Sequence, residues 1–191
     1  MSESLSNGLS KASPAWSERW LQLTDRELAW CLRSQQLVRH RLVIAVFVVV
    51  SRLGDGLFWY GLMAMLLLVH GAVAAPVVTR MLLAGAVCLI LYKWLKARTT
   101  RSRPCARSHQ IQLRAPALDK YSFPSGHTLH AASFTLIAVY HYPALSGLLV
   151  PFATLVVLSR IILGLHYPSD VLAGAVLGVG VAFLALHCSF I

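Results

Sequence analysis

Acidic side chains are scarce in this 191-residue chain: seven Asp and Glu stand against 17 Lys and Arg, a formal net charge of +10. After Glu27 only Asp55, Asp119 and Asp170 remain. Charge of either sign is absent from residues 56–79, 121–159 and 171–191. These gaps exclude an ordinary soluble domain, because about 20 apolar residues suffice for a helix that crosses a bilayer. The hydrophobic fraction of 57% and the mean hydropathy of +0.66 agree; soluble chains average about 45–50% apolar residues. Metal-spaced cysteines are also missing. Cys31, Cys88, Cys105 and Cys188 form no CxxC pair, so neither a disulfide framework nor a zinc site is indicated, and they read as packing residues. The basic stretches lack the interleaved aromatics of a nucleic-acid surface, so no nucleic-acid partner is expected. The first 40 residues contain no apolar core of signal-peptide length, so targeting would rest on an uncleaved first span.

What is present divides the chain into residues 1–40, a polar tail and amphipathic helix, and residues 41–191, a membrane domain. Residues 1–15 are rich in Ser and read as a tail. Trp20, Leu23, Glu27, Trp30 and Leu37 recur at mixed helical spacings, which suits a helix lying in the membrane interface or, equally, a solvated one. The expected fold is all-α, a polytopic membrane bundle of about six transmembrane helices. Its predicted spans are residues 38–53, 56–74, 76–96, 124–141, 146–165 and 169–189, with breaks at Gly54, Gly56, Pro76, Pro143 and Pro168. The first span is short: 16 helical residues rise roughly 24 Å. Pro151 falls inside the fifth span, where it should kink the helix.

Counting crossings back from the carboxyl end brings three polar clusters to one side: 96–104, 124–127 and 159–170. A charge left in lipid costs several kcal/mol, so these groups must face water, one another or a ligand. Their types are those that phosphoryl transfer demands. Lys96, Arg103 and Arg160 can neutralise phosphoryl oxygens, the arginines through bidentate contacts. Ser125 and Gly126 precede or begin a helix, where free N–H groups and the dipole attract anions. His166 precedes Asp170 by four residues across a Pro, so a helix starting at Pro168 could bring the carboxylate to one ring nitrogen and free the other as a nucleophile. Taken alone, that pair could equally cap a helix at a membrane corner. His127, with no carboxylate at similar spacing, suits protonation of a leaving oxygen. No metal and no cofactor are needed if the cations neutralise the charge.

KARTTRSRP (96–104), PSGH (124–127) and SRIILGLHYPSD (159–170) fit KxxxxxxRP, PSGH and SRxxxxxHxxxD at every fixed position. In these three stretches the chain resembles the type 2 phosphatidic acid phosphatase superfamily over roughly residues 50–190. The resemblance implies a phosphatidic acid phosphatase/haloperoxidase-like core and a metal-independent membrane phosphatase. In it His166, supported by Asp170, attacks phosphorus to give a phosphohistidine, and His127 protonates the leaving group. Lys96, Arg103, Ser125, Gly126 and Arg160 would hold the phosphoryl oxygens. The implied partner is a membrane lipid: undecaprenyl diphosphate, phosphatidylglycerol phosphate or phosphatidate. Two other classes share the residues, a phosphotransferase that passes the phosphoryl group to a lipid or sugar, and a non-catalytic lipid-binding or transport protein.

Arg98, Arg101, Arg107, Arg114 and Lys120 read as a solvated loop meeting anionic headgroups. Arg52 and Asp55 either gate or orient the substrate headgroup, or form a tight turn in which Asp55 pairs with Arg52 or with one of the basic loop residues. His130 reads as a packed histidine. Relatives place the signature end in the periplasm or outside, whereas a basic loop favours the cytoplasm. With Arg19, Arg26, Arg33, Arg39, Arg41 and Arg80 counted on the opposite side, the expectation is an inner-membrane protein with an outward-facing site.

Overall fold

The computed structural model describes residues 14–117 and 119–187, with side chains from Leu23 onward in the first helix. Residues 1–13 of the expected tail and Cys188 lie outside the described residues, while Pro14 and Ala15 begin the first helix. All regular structure among the described residues is helical: α1 (Pro14–Leu37), α2 (Arg41–Leu53), α3 (Leu57–His70), α4 (Ala75–Thr99), α5 (Pro104–Arg107), α6 (Gly126–His141), α7 (Ser146–Ile162) and α8 (Pro168–His187). The breaks follow the local chemistry. Gly56 ends the α2–α3 turn at φ 139° and Gly71 closes α3 at φ 57°, both in the left-handed half of conformational space that only glycine enters freely. Pro76 and Pro168 sit in the first turns of α4 and α8, where a missing N–H costs nothing.

Apolar side chains line both the inside and the outside of this bundle. Trp59, Leu66, Met81, Leu129, Ile137, Leu149 and Val156 are buried together, while Leu68, Ile90, Leu172, Val176, Phe183 and Leu184 are exposed. Helices that are apolar all round belong in lipid. By length and composition Leu57–Arg107, which Gly71 divides, Pro143–Ile162 and Pro168–His187 can each cross a membrane.

Six apolar helices thus lie where the sequence places them, but α2 does not cross alone. At its start, Arg114 donates to the carbonyls of Val38 (2.8 Å) and Gln35 (3.1 Å). Midway, Phe47 packs with Ile162, Leu163 and Leu165 at the end of α7. At its end Arg160 donates to Ser51. In α3, Phe58 then stacks on Phe152 and His70 stacks on Tyr142, just before α7 begins. From Arg41 to His70 the chain therefore runs once along α7, as two helices parted at residues 54–56. Thirteen residues rise about 20 Å, short of the roughly 30 Å hydrocarbon core, so the break leaves α2 dipping in from the signature end.

This corrects the charge count across the membrane. Arg26, Arg33, Arg39 and Arg41, set opposite the site by the sequence count, belong to segments held at the signature end. Arg80, beside His141 (3.3 Å), stays at the other.

The closest helix pair, α6 and α8, depends on Gly174 and Gly178. A Cβ at Gly174 would lie 2.6 Å from the carbonyl oxygen of Ser125, and one at Gly178 would strike that of Leu129. Small residues let membrane helices approach backbone to backbone, and here that approach fixes the PSGH turn against the start of α8. Gly174→Val should destabilise the protein by about 1–3 kcal/mol through overpacking. Its thermal midpoint in detergent should fall; an unchanged midpoint would contradict this account of the helix pair.

Candidate active site

Four segments deliver the three signatures to one buried cleft. Lys96 stands in the last turn of α4 and donates to Asp119 Oδ2 at 2.5 Å. Arg103 sits at the start of α5; its Nε donates to the Asp119 carbonyl (2.9 Å) and its Nη1 to the Leu165 carbonyl (2.7 Å). Arg160, in the last turn of α7, is 3% exposed, and its Nε has no hydrogen-bond partner. His166 follows the α7 end through Gly164, whose φ of 74° makes the turn. A Cβ at Gly164 would meet the Gln112 carbonyl at 2.8 Å. Gly126 and His127 open α6 and line the same cleft of about 420 Å³.

The hydrogen bonds assign the tautomer of His166. Arg103 Nη1 lies 3.4 Å from His166 Nε2, and a guanidinium can only donate, so Nε2 carries the lone pair and Nδ1 the proton. The lone pair therefore faces the cations. Nδ1 points toward Asp170 Oδ2 at 3.7 Å, too long for a hydrogen bond, and is otherwise unpartnered. The sequence expectation of a carboxylate at that ring nitrogen is met in direction but not in contact, because Asp170 is held by stronger donors. Its Oδ2 accepts the Tyr167 N–H (2.9 Å) and its Oδ1 accepts Arg101 Nη1 (2.6 Å).

Arg101 is thus no solvated loop residue. It also donates to Ser169 Oγ (2.7 Å) and Glu27 Oε2 (2.5 Å), and its guanidinium lies 4.0 Å from the Tyr167 ring centroid. Arg114 likewise binds backbone carbonyls rather than headgroups. Ser125 sends its N–H to the Asp170 carbonyl (3.0 Å) and its hydroxyl accepts from Thr128, which fixes α6 to α8. The first-turn N–H groups of α6 from Gly126 onward remain as donors for an anion.

His127 does have a carboxylate partner. Asp55, from the α2–α3 turn, pairs with His127 Nε2 rather than with Arg52. Arg52 has no ion pair among the described residues. His130 packs as expected, its ring nitrogens against the carbonyls of Gly126 (2.9 Å) and Gly85 (3.3 Å). Among the described residues no cluster of His, Cys, Asp or Glu could hold a metal ion.

Sequence reasoning missed Asp119, Glu27, Arg101 and Ser51. The available signal was the scarcity of acids, since Glu27 and every acid after it converge here. α1 reaches the site through Glu27, which also accepts the Ser169 N–H (2.7 Å), and through Cys31, which donates to the His166 carbonyl (3.7 Å). Its Leu23, Trp30 and Leu37 are exposed.

Residues 74–191, more than half of the chain, match the family model of the PAP2 superfamily. The chain belongs to that superfamily. It is similar to an undecaprenyl-diphosphatase of Sulfolobus acidocaldarius, 27% identical over 143 residues that make up 74% of this chain and 68% of that protein. A decaprenylphosphoryl-5-phosphoribose phosphatase of Mycobacterium tuberculosis is 36% identical over 123 residues, 61% of this chain and 66% of that one. The chain thus spans about two thirds of these relatives. Among solved structures it resembles a transmembrane PAP2-type phosphatidylglycerolphosphate phosphatase from Bacillus subtilis, with a TM-score of 0.68, 27% identity and coverage of 86% and 85% of the two chains. Aquifex aeolicus LpxE gives a TM-score of 0.72 at 26% identity, covering 83% and 93%. With its apolar helices, this protein is a membrane member of a lipid-phosphatase family.

Electrostatics set the state of the site. Burial first, then the guanidiniums of Arg160 and Arg103 and the Lys96 ammonium, hold the His166 imidazole well below its usual value of 6.5. Burial pushes the Asp119 carboxyl up, but the hydrogen bond and charge of Lys96 outweigh it and hold the group below the usual carboxylate value. The lowered pKa keeps Nε2 unprotonated, with its lone pair available, as pH falls through about 6.5. Lys96→Met removes one positive neighbour and should move the acidic limb of kcat/KM upward. A pH profile with a lipid phosphate tests this, and a limb that stays in place would contradict it.

Proposed function

We propose that the protein hydrolyses a phosphomonoester or diphosphate of a membrane lipid through a phosphohistidine at His166. The observation that carries the reading is the His166 Nε2 lone pair, aimed into a cleft where Arg103, Lys96 and Arg160 converge. In this mechanism the cations and the α6 N-terminus hold the phosphoryl oxygens. Nε2 attacks phosphorus, Asp170 stabilises the charge that develops on the ring, and His127 gives a proton to the leaving oxygen. Water then attacks phosphorus, the N–P bond breaks with its electron pair returning to Nε2, and phosphate is released. Asp119, which occupies Lys96 in the free protein, yields that cation to the substrate. The reaction needs no metal ion, because three side-chain cations supply the charge.

The apolar wall of the cleft, including Trp59, Met63, Leu82 and Phe134, suits the first carbons of a lipid chain. Candidate substrates are undecaprenyl diphosphate, phosphatidylglycerol phosphate and phosphatidate. Purified protein should release phosphate from at least one of them in EDTA, and His166→Ala should abolish release. Turnover lost in EDTA, or retained in His166→Ala, would overturn the mechanism.

We further propose a location in the inner membrane with the signature end in the cytoplasm. This reverses the outward orientation expected from the sequence, because the arginines that balanced the basic loop lie on the loop's own side. Unpaired Lys and Arg near span ends mark the cytoplasmic face. Cys105, half-buried beside Arg103, reports the side. An impermeant thiol reagent should label it only after lysis; labelling in intact cells would place the site outside.

A further inference from the structure

Two cavities meet at His127. The first is the cleft described above. The second, of about 260 Å³, lies between α2 and residues 115–116 and is lined by Ser51, Arg52, Asp55, His127 and Arg160. The proposed attack at His166 makes no use of it. Its electrostatics are nonetheless specific: the one carboxylate, Asp55, is already paired with His127, whereas Arg52 has no ion pair among the described residues. Arg160 is almost wholly buried and its Nε donor has no partner. A buried guanidinium donor left unbonded is costly and marks a place where an acceptor belongs.

Position decides what the acceptor is. This step rests on the proposed roles of His166 and His127. If His127 protonates the leaving oxygen, the next atom of the leaving group lies beside His127 too. In a lipid monophosphate that atom is carbon, which the apolar wall of the first cleft accommodates. In a lipid diphosphate it is a second phosphorus with its own charged oxygens, and these match the two guanidiniums of the second cavity.

We propose that the second cavity is a subsite for the non-transferred phosphate of a lipid diphosphate, and that Arg52 sets the preference for diphosphate over monophosphate. The Nε2–P bond forms as the bridging P–O bond breaks. The bridging oxygen keeps the electron pair and takes the proton of His127, and a lipid monophosphate departs. Hydrolysis of phosphohistidine then yields inorganic phosphate and returns a proton to the site.

The test uses the full-length protein in detergent with farnesyl diphosphate and farnesyl monophosphate, which share one chain. Wild type should favour the diphosphate in kcat/KM. Arg52→Gln should reduce that ratio about ten-fold, chiefly through KM of the diphosphate, as expected for one lost charge-assisted contact. Arg52→Lys, which keeps the charge, should restore part of the ratio. Equal kcat/KM ratios in wild type and Arg52→Gln would overturn the subsite while leaving the phosphatase reading intact. Release of phosphate from neither substrate by wild type would instead remove that reading and the subsite with it. Unchanged elution on size exclusion establishes that the variants are folded.

Discussion

Positive charge brought to a membrane's polar edge is the constraint on which the rest of this structure depends. Lys96, Arg103 and Arg160 are all nearly buried, and cations of one sign cannot share a low-dielectric cleft without anions nearby. The chain has seven acids and places four of them here: Glu27, Asp55, Asp119 and Asp170. Of these four, only Asp119 pairs with one of the three cations, Lys96. The other three hold Arg101 and His127. The cleft therefore keeps an excess of positive charge around an unprotonated imidazole, which suits the proposed binding of a phosphoryl group with several charged oxygens.

The pairing of Asp170 with Arg101 changes how the signature histidine is supported. Arg101 bridges the loop after α4, the start of α8 and α1, and so fixes the carboxylate before the imidazole approaches it. In the proposed attack by His166, Asp170 is then pre-set to receive the charge that forms on the ring, within a short movement of Nδ1. Such preorganisation costs nothing at the moment of reaction. It also makes α1 a structural partner of the site through Glu27, although α1 precedes the region that matches the family.

The helices were legible because hydropathy alone separates them, and the signature residues because each cluster is short and falls at a helix end. His166, Arg103 and Lys96 needed only that the ends meet. What the sequence hid were pairs far apart along the chain. Glu27 with Arg101 and Asp55 with His127 are separated by 74 and 72 residues, and no local periodicity carries such information. The side on which α1 and the start of α2 lie was hidden for the same reason. Alternate counting assumes that every apolar helix crosses, whereas α2 is held at one end by Arg114 and by the end of α7.

The break at residues 54–56 reconciles these features. A continuous helix from Arg41 to His70 would keep Asp55 in the i→i−4 ladder, on a face fixed by its helical neighbours. The turn frees that residue to face His127, while Gly56 takes up a φ no other residue adopts without strain. The same turn sets Ser51 against Arg160 and leaves Arg52 beside the second cavity. Placing a carboxylate inside the membrane edge is unfavourable unless it has a partner, so the pair with His127 stabilises the break as much as the break positions the pair. The break between α2 and α3 is thus what brings Asp55 to His127 and Ser51 to Arg160.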